Sequence, residues 1–275
     1  YGRLKCVGDA GNEITLRGYR LDNMFDYLPY DYVSGQWQGI RLRESSYENE
    51  IRYTDVHGTF DGIKVDSADV SRLKLDIENS TIHNCQGYAL TAESAKIIMR
   101  NCEFTNALRN CICINGGETD INNCTIAQFY PFDSNRGSAL YFSMSKYPQC
   151  SFTCINSLVT GYADDEMMIE TYDEDEKYEA NYLFDHCIIR TPKITTEDSI
   201  HFVNVIFEEY EDTVKTGRKN FVKIDSQNLR YDFRLDSISP AINAADPVSA
   251  MPYDRKGQRR DDKPDIGAYE FFKEE

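Results

Sequence analysis

With 275 residues, 41% of them hydrophobic, the chain is long enough for one large domain or an elongated stack of repeats. Its 46 acidic and 30 basic residues leave a net charge of −16, which argues against nucleic acid as a partner, because backbone binding depends on Lys and Arg neutralising phosphates. A polyanionic ligand would likewise be repelled unless a cation bridges it, and no run of about 18 apolar residues exists to span a membrane.

Residues 1–20 read as an opening coil: Gly2-Arg3-Leu4-Lys5-Cys6, a turn over Gly8 to Asn12, then Ile14-Thr15-Leu16. The chain starts strand-like, without a charged-then-apolar signal segment. An aromatic insertion spans 19–36 and carries Phe25, Tyr27, Tyr30 and Tyr32 beside Asp22, Asp26 and Asp31. Loops of this length are functional or disordered, and the aromatic density predicts an ordered flap. Trp37-Gln38-Gly39-Ile40-Arg41-Leu42 returns the chain to the stack, and Ile51 to Val56 forms the next coil.

From Leu75 to Gln128 one pattern recurs every 22 residues. Asn79, Asn101 and Asn123 are each followed by a small residue (Ser80, Cys102, Cys124), then an apolar one (Ile82, Phe104, Ile126), then an amide (Asn84, Asn106, Gln128). A fixed period of this size marks a stacked repeat, and the alternation within it is that of strands. Ile77 and Ile82 are an odd number apart, so one straight strand cannot bury both. A corner must lie between them at Asn79, a residue type that tolerates positive φ. The Ser80 and Ile82 columns then point inward, and the Thr81/Glu103/Thr125 column points outward. Stacked corner amides are expected to bond to their copies above and below. Gly62 to Val65, Ala89 to Ala92, Cys111 to Ile114 and Ala139 to Phe142 predict a second sheet.

Nine cysteines are an odd number, so at least one thiol lacks a partner within the chain. Cys102, Cys124, Cys111 and Cys113 fall at inward positions and are expected to be small buried hydrophobes. Cys111-x-Cys113 and Cys150-x-x-x-Cys154 lack the second pair or the His spacing of a zinc site, so no metal ligand set is assigned. After Gln128 the period lengthens, with Asn156 and His186 at corner positions. The acidic loop 163–179, with Ala163-Asp164-Asp165-Glu166, Glu170 and Asp173 to Glu176, reads as solvated. Calcium is its sharper alternative and the one cofactor candidate, although the spacing of a recognised calcium loop is missing.

The Ile-x-Asn-Cys-x-Ile repeat and the Trp-x-Gly-Ile-x-Leu return resemble secreted bacterial proteins of the pectin-lyase-like superfamily. So does a tail over 209–275 containing Asp254-Arg255-Lys256-Gly257-Gln258-Arg259-Arg260 and Pro264-Asp265-Ile266-Gly267-Ala268-Tyr269-Glu270. The resemblance implies an all-β fold, a single-stranded right-handed parallel β-helix of about 22 residues per coil over 1–208, closed by a cap at its C-terminal end. An extracellular, periplasmic or cell-surface location and a monomer are expected, with a signal and an N-terminal segment removed or the chain an expressed fragment. Asp254, Arg260 and Glu270 are expected to be structural charges within the cap.

If Val56 pairs with Ile82, then Asp55 lies over Thr81 and His57 over His83, with Glu103 one coil further. Asp55, His57, His83 and Glu103 are therefore the candidate catalytic set, since glycan hydrolysis needs paired carboxyl groups and elimination needs a base. Tyr27, Tyr30, Tyr32 and Trp37 are the candidate sugar-stacking residues. The expected role is binding or scaffolding a polysaccharide, with a polysaccharide-cleaving hydrolase or lyase as the alternative. The Arg-containing signatures of pectate lyases and the paired-Asp signatures of polygalacturonases are not visible.

Overall fold

In the computed structural model, which describes residues 2–147, 150–171, 181–209, 211 and 216–273, the alternating runs form short parallel strands stacked on three faces. The first face holds Lys5–Val7, Asn49–Arg52, Leu73–Glu78, the second halves of the long strands Leu90–Arg100 and Ile112–Asn122, then Ser151–Ile155, Tyr182–Asp185 and Phe202–Val203. The second face holds eight strands: Ile14–Leu16, Thr54–His57, Thr81–Cys85, Glu103–Ala107, Thr125–Gln128, Leu158–Gly161, Ile188–Ile189 and Ile206–Phe207. The third is the expected second sheet: Ile40–Leu42, Ile63–Val65, the first halves of the two long strands, Leu140–Ser143 and Met167–Glu170. The fold is an all-β parallel helix, and among the described residues no helix is long and apolar enough to cross a membrane.

The corner between the first and second faces lies where the repeat puts it. Tyr53, Asn79, Asn101, Asn123, Asn156, His186 and Asn204 all have φ between 44° and 52°. The residue after each corner restores the broken ladder. Ser80 Oγ accepts the Thr54 N–H at 3.1 Å and donates to the Glu78 carbonyl at 2.8 Å. Cys124 Sγ and Ser157 Oγ accept in the same way from Cys102 and Cys124. The inward columns are fully buried, Ile82, Phe104, Ile126, Cys102, Cys111 and Cys124 among them, whereas Cys113, expected inward, is buried in the outward column between Thr91 and Tyr141, because it alternates with the core residues Ile112 and Ile114. All nine cysteines are free thiols. Serine and cysteine alternate in the Ser80 column because both are small and both can pass on a hydrogen bond.

Among the described residues the corner amides do not bond to one another as expected, and at Asn101, Asn123 and Asn156 the tail takes their polar atoms. Asn123 Oδ1 accepts the Met251 N–H at 2.9 Å, and its Nδ2 donates to Asp265 and Gly267 carbonyls. Asn101 donates to Tyr253 and accepts from Arg260, and Asn156 Oδ1 accepts the Asp246 N–H. The tail therefore lies along the side of the stack rather than over its end. Ile266, Ala268 and Tyr269, with Phe221 and Phe233 of the hairpin Phe221–Asp225/Arg230–Leu235, pack on the outward residues Ala127, Leu158 and Ile188 of the second face. A buried Arg260–Glu270 pair at 2.9 Å and Asp254, which accepts the Lys256 and Gln258 N–H groups, hold the tail's own turns.

The acidic loop is solvated only in part. Asp164 and Asp165 are exposed, whereas Glu166 is fully buried, accepting N–H groups from Ala139 at 2.8 Å and Ala163 at 2.7 Å. Burial pushes its pKa up to about 8, against those two donors and the nearby Arg136 and Arg190. Residues 172–180, with Asp173 to Glu176, lie outside the described residues.

Two outcomes follow from these contacts. Asn79 Oδ1 has no hydrogen-bond partner among the described residues, so Asn79→Ala should cost only the positive-φ strain, about 1–2 kcal/mol. Asn123→Ala should cost about 1–3 kcal/mol more, because it also leaves the Met251 N–H unpaired. Equal losses in urea unfolding would mean that the tail clamp contributes nothing. Glu166 holds a proton in the folded chain that the unfolded chain loses near 4.5, so its contribution to stability should fall as pH rises from about 4.5 to about 8. Glu166→Gln should flatten that decline in denaturant midpoints measured across the window.

Candidate functional site

Strand pairing sets the site. Thr81 pairs with Asp55 and His83 with His57 on one side, and with Glu103 and Thr105 on the other. The corners keep that register, so the side chains between the buried Val56 and Ile82 columns all leave the same face.

Asp55, His57 and His83 come together. Asp55 Oδ1 lies 2.5 Å from His57 Nδ1 and 3.3 Å from His83 Nε2, and the two imidazole rings stack with centroids 4.8 Å apart. A fourth group arrives from the aromatic insertion: Asp31 Oδ1 is 3.1 Å from His57 Nε2, while its other oxygen is 3.0 Å from Arg17. Burial pushes Asp55 up, but the two imidazoles outweigh it and hold the carboxyl below the usual range. Burial also opposes the charged form of His83, and the adjacent Asp55 and Glu103 outweigh it, so its pKa is raised.

Glu103 stands apart, two coils from Asp55, or about 9.6 Å at the ordinary strand spacing. It is buried beneath the tail, where Tyr269 donates a 2.6 Å hydrogen bond to its Oε2 and Thr105 donates at 3.3 Å to its Oε1. Burial raises its pKa, over the opposing pull of Arg255, Tyr269 and His83. Outward here means facing the tail rather than facing solvent.

Asp55, His83 and Glu103 line one cleft of about 870 Å³ between the second face and the tail. The tail supplies Lys223, Arg230, Arg234, Arg255 and Lys256 to it, against the acids Asp55, Glu103 and Asp232. On a chain of net charge −16 this is a locally basic surface. Arg255 is buried, its Nη1 3.8 Å from Glu13, and its Nε and Nη1 have no hydrogen-bond partner among the described residues.

Of the four aromatic candidates, Tyr32 borders this cleft. Tyr27, 82% exposed, stacks on Phe25 and lines a neighbouring hollow of about 690 Å³ that Tyr32 also borders. Tyr30 carries the Arg20 guanidinium 3.7 Å from its ring centre. Trp37 turns inward, packing on the core and donating its indole N–H to the His57 carbonyl at 2.9 Å. The sequence assigns no site role to Asp31, Arg255 or Tyr269. They sit in segments without the repeat, where no register says which coil they meet.

The pattern of the family described as right handed beta helix region matches residues 11–126 and, overlapping them, 62–191. The chain belongs to that family. Among solved structures, this β-helix is similar to the crystal structure of the pectate lyase Pel9A, with 13% identity, a TM-score of 0.47, and coverage of 86% of this chain and 68% of that one. No curated protein matches it.

Removing the hydroxyl that satisfies Glu103 tests the join between stack and tail. Tyr269→Phe should lower stability by about 1–3 kcal/mol in urea unfolding. No change would mean that the buried carboxyl is satisfied without it.

Proposed function

We propose that this β-helix acts outside the cell as a carbohydrate-binding protein, holding a polysaccharide chain in the cleft between its second face and its tail. The observation that carries this reading is the strip of cationic side chains, Arg255, Lys256, Lys223 and Arg230, that lines one side of that cleft on a chain of net charge −16. A sugar carboxylate would meet cationic donors there, guanidinium forks among them. Tyr32 and Tyr231, which border the same cleft, offer apolar ring faces to pyranose C–H groups. The ligand class is therefore a carboxylated polysaccharide in preference to a neutral one.

Cleavage is the second reading, and one observation favours it: Asp55 and His83 line the same cleft as Arg255, so an imidazole and a carboxylate would meet a chain bound there.

Affinity electrophoresis against polyuronates and neutral glucans tests the first reading. Retardation by polyuronate, weakened at least tenfold in Arg255→Gln and a few-fold in the exposed Lys256→Ala, is the expected result. Equal retardation by neutral glucans, or none by either, would overturn it. Reducing ends or unsaturated products that disappear in His83→Ala would establish cleavage as well, and binding without product would exclude it.

A further inference from the structure

Asp55 and His83, which line the cleft, form with His57 a cluster that has the composition of a metal site. One ligand atom from each of Asp55, His57 and His83 can be chosen so that all three lie within 4.8 Å of one another. Metal–nitrogen and metal–oxygen bonds near 2.0–2.1 Å place tetrahedral ligand atoms about 3.3 Å apart. The 3.3 Å between Asp55 Oδ1 and His83 Nε2 already has that value, and the 2.5 Å Asp55–His57 contact would open by about 0.8 Å.

A second observation concerns the far side of His57. Its Nε2 faces Asp31 Oδ1 at 3.1 Å, and Arg17 holds the other oxygen of Asp31. A metal-bound imidazole nearly always donates its remaining N–H to a carboxylate or carbonyl, which fixes the tautomer and aims the free lone pair at the ion. With the proton on Nε2 bonded to Asp31, the Nδ1 lone pair of His57 points at Asp55, beside His83. A simple His–Asp pair would need only one of these two carboxylates.

We propose that Asp55, His57 and His83 bind a single divalent first-row transition ion, with Asp31 as the outer carboxylate that orients His57. Two imidazole nitrogens favour such an ion over calcium or magnesium, which take oxygen ligands. Asp31 and Asp55 together balance its two charges. Asp55 and His83 border the cleft, so the remaining coordination positions open toward it. Short-range ligand spacing in the sequence gives no sign of this site, because its ligands come from stacked coils: Asp55 and His57 from one, His83 from the next. The assignment does not depend on a polysaccharide occupying the cleft.

The test uses the full chain without a histidine tag, titrated with Zn²⁺ by calorimetry and with Co²⁺ by visible absorption. One equivalent should bind, with a cobalt spectrum of nitrogen and oxygen ligation and no intense thiolate-to-cobalt band. His57→Ala and His83→Ala should each weaken binding at least 100-fold. Asp31→Asn should weaken it ten- to a hundredfold while keeping one equivalent. His186→Ala, which alters a histidine outside the cluster, should leave it unchanged. Circular dichroism matching the parent separates loss of the site from loss of the fold, and the partly exposed His83 carries the test if His57→Ala does not fold. Absence of saturable binding, binding that survives the His83 change, a thiolate band, or displacement by equimolar Ca²⁺ would each overturn the proposal.

Discussion

The left-handed corner between the first and second faces is the constraint on which the rest of the structure depends. One residue at positive φ reverses the parity of the chain, so Ile77 and Ile82 can both face the core although an odd number of bonds separates them. Asparagine is suited to it because its short polar side chain lowers the strain that other side chains meet there. Repeating the bend at Asn79, Asn101, Asn123 and Asn156 keeps the strands beyond it in register from coil to coil. A slip of one residue would turn His57 and His83 into the core and Val56 and Ile82 out of it. The site is thus a product of the corner.

The second face also shows how one column of side chains divides a surface between two jobs. Reading outward-facing partners along the stack gives Asp55, Thr81, Glu103, Thr125, Leu158 and Ile188. The column is polar over its first four positions and apolar over its last two. The tail's Ile266 and Ala268, with Phe221 and Phe233, lie on the apolar end, and the cleft opens over Asp55, Thr81 and Glu103 at the polar end. Tyr269 and Glu103 meet at the boundary, where a hydroxyl donor lets a buried carboxyl remain next to packed hydrocarbon. The same contacts explain why the corner amides hold the tail: where Leu158 and Ile188 draw it onto the stack, its backbone needs partners that the adjacent Asn123 and Asn156 supply.

The repeat made most of the solenoid legible. Three copies at one period located the corner and the inward Cys102 and Cys124, and aligning Val56 with Ile82 extended the register to the pairing of His57 with His83, because each is fixed by local backbone geometry and copied from coil to coil. The tail's position was not legible from the repeat, although the switch from Thr125 to Leu158 in an outward column was a sign that something apolar covers that face. Glu166 looked like one of several solvated acids, and only its two backbone donors, 27 residues before it and three before it, distinguish it. Asp31, Arg255 and Tyr269 depend on loop closures that carry no periodicity, so neither their partners nor their burial could be read from spacing.

Charge is where whole-chain and local properties diverge most. A net charge of −16 acts at long range, yet screening confines exposed charges to about 8 Å at physiological salt, so a ligand inside the cleft responds mainly to the groups that line it. Those groups are divided by position: Asp55, His83 and Glu103 come from the stack, while Arg255, Lys256, Lys223 and Arg230 belong to the tail. Separating the signs in this way leaves the carboxylates with imidazole partners and leaves the Arg255 guanidinium facing Glu13 at 3.8 Å. A buried guanidinium held so loosely loses its hydration without full return from the protein. The cations gathered on the tail side of the cleft make it the place where an incoming anion has most to gain, even though the chain as a whole would turn it away.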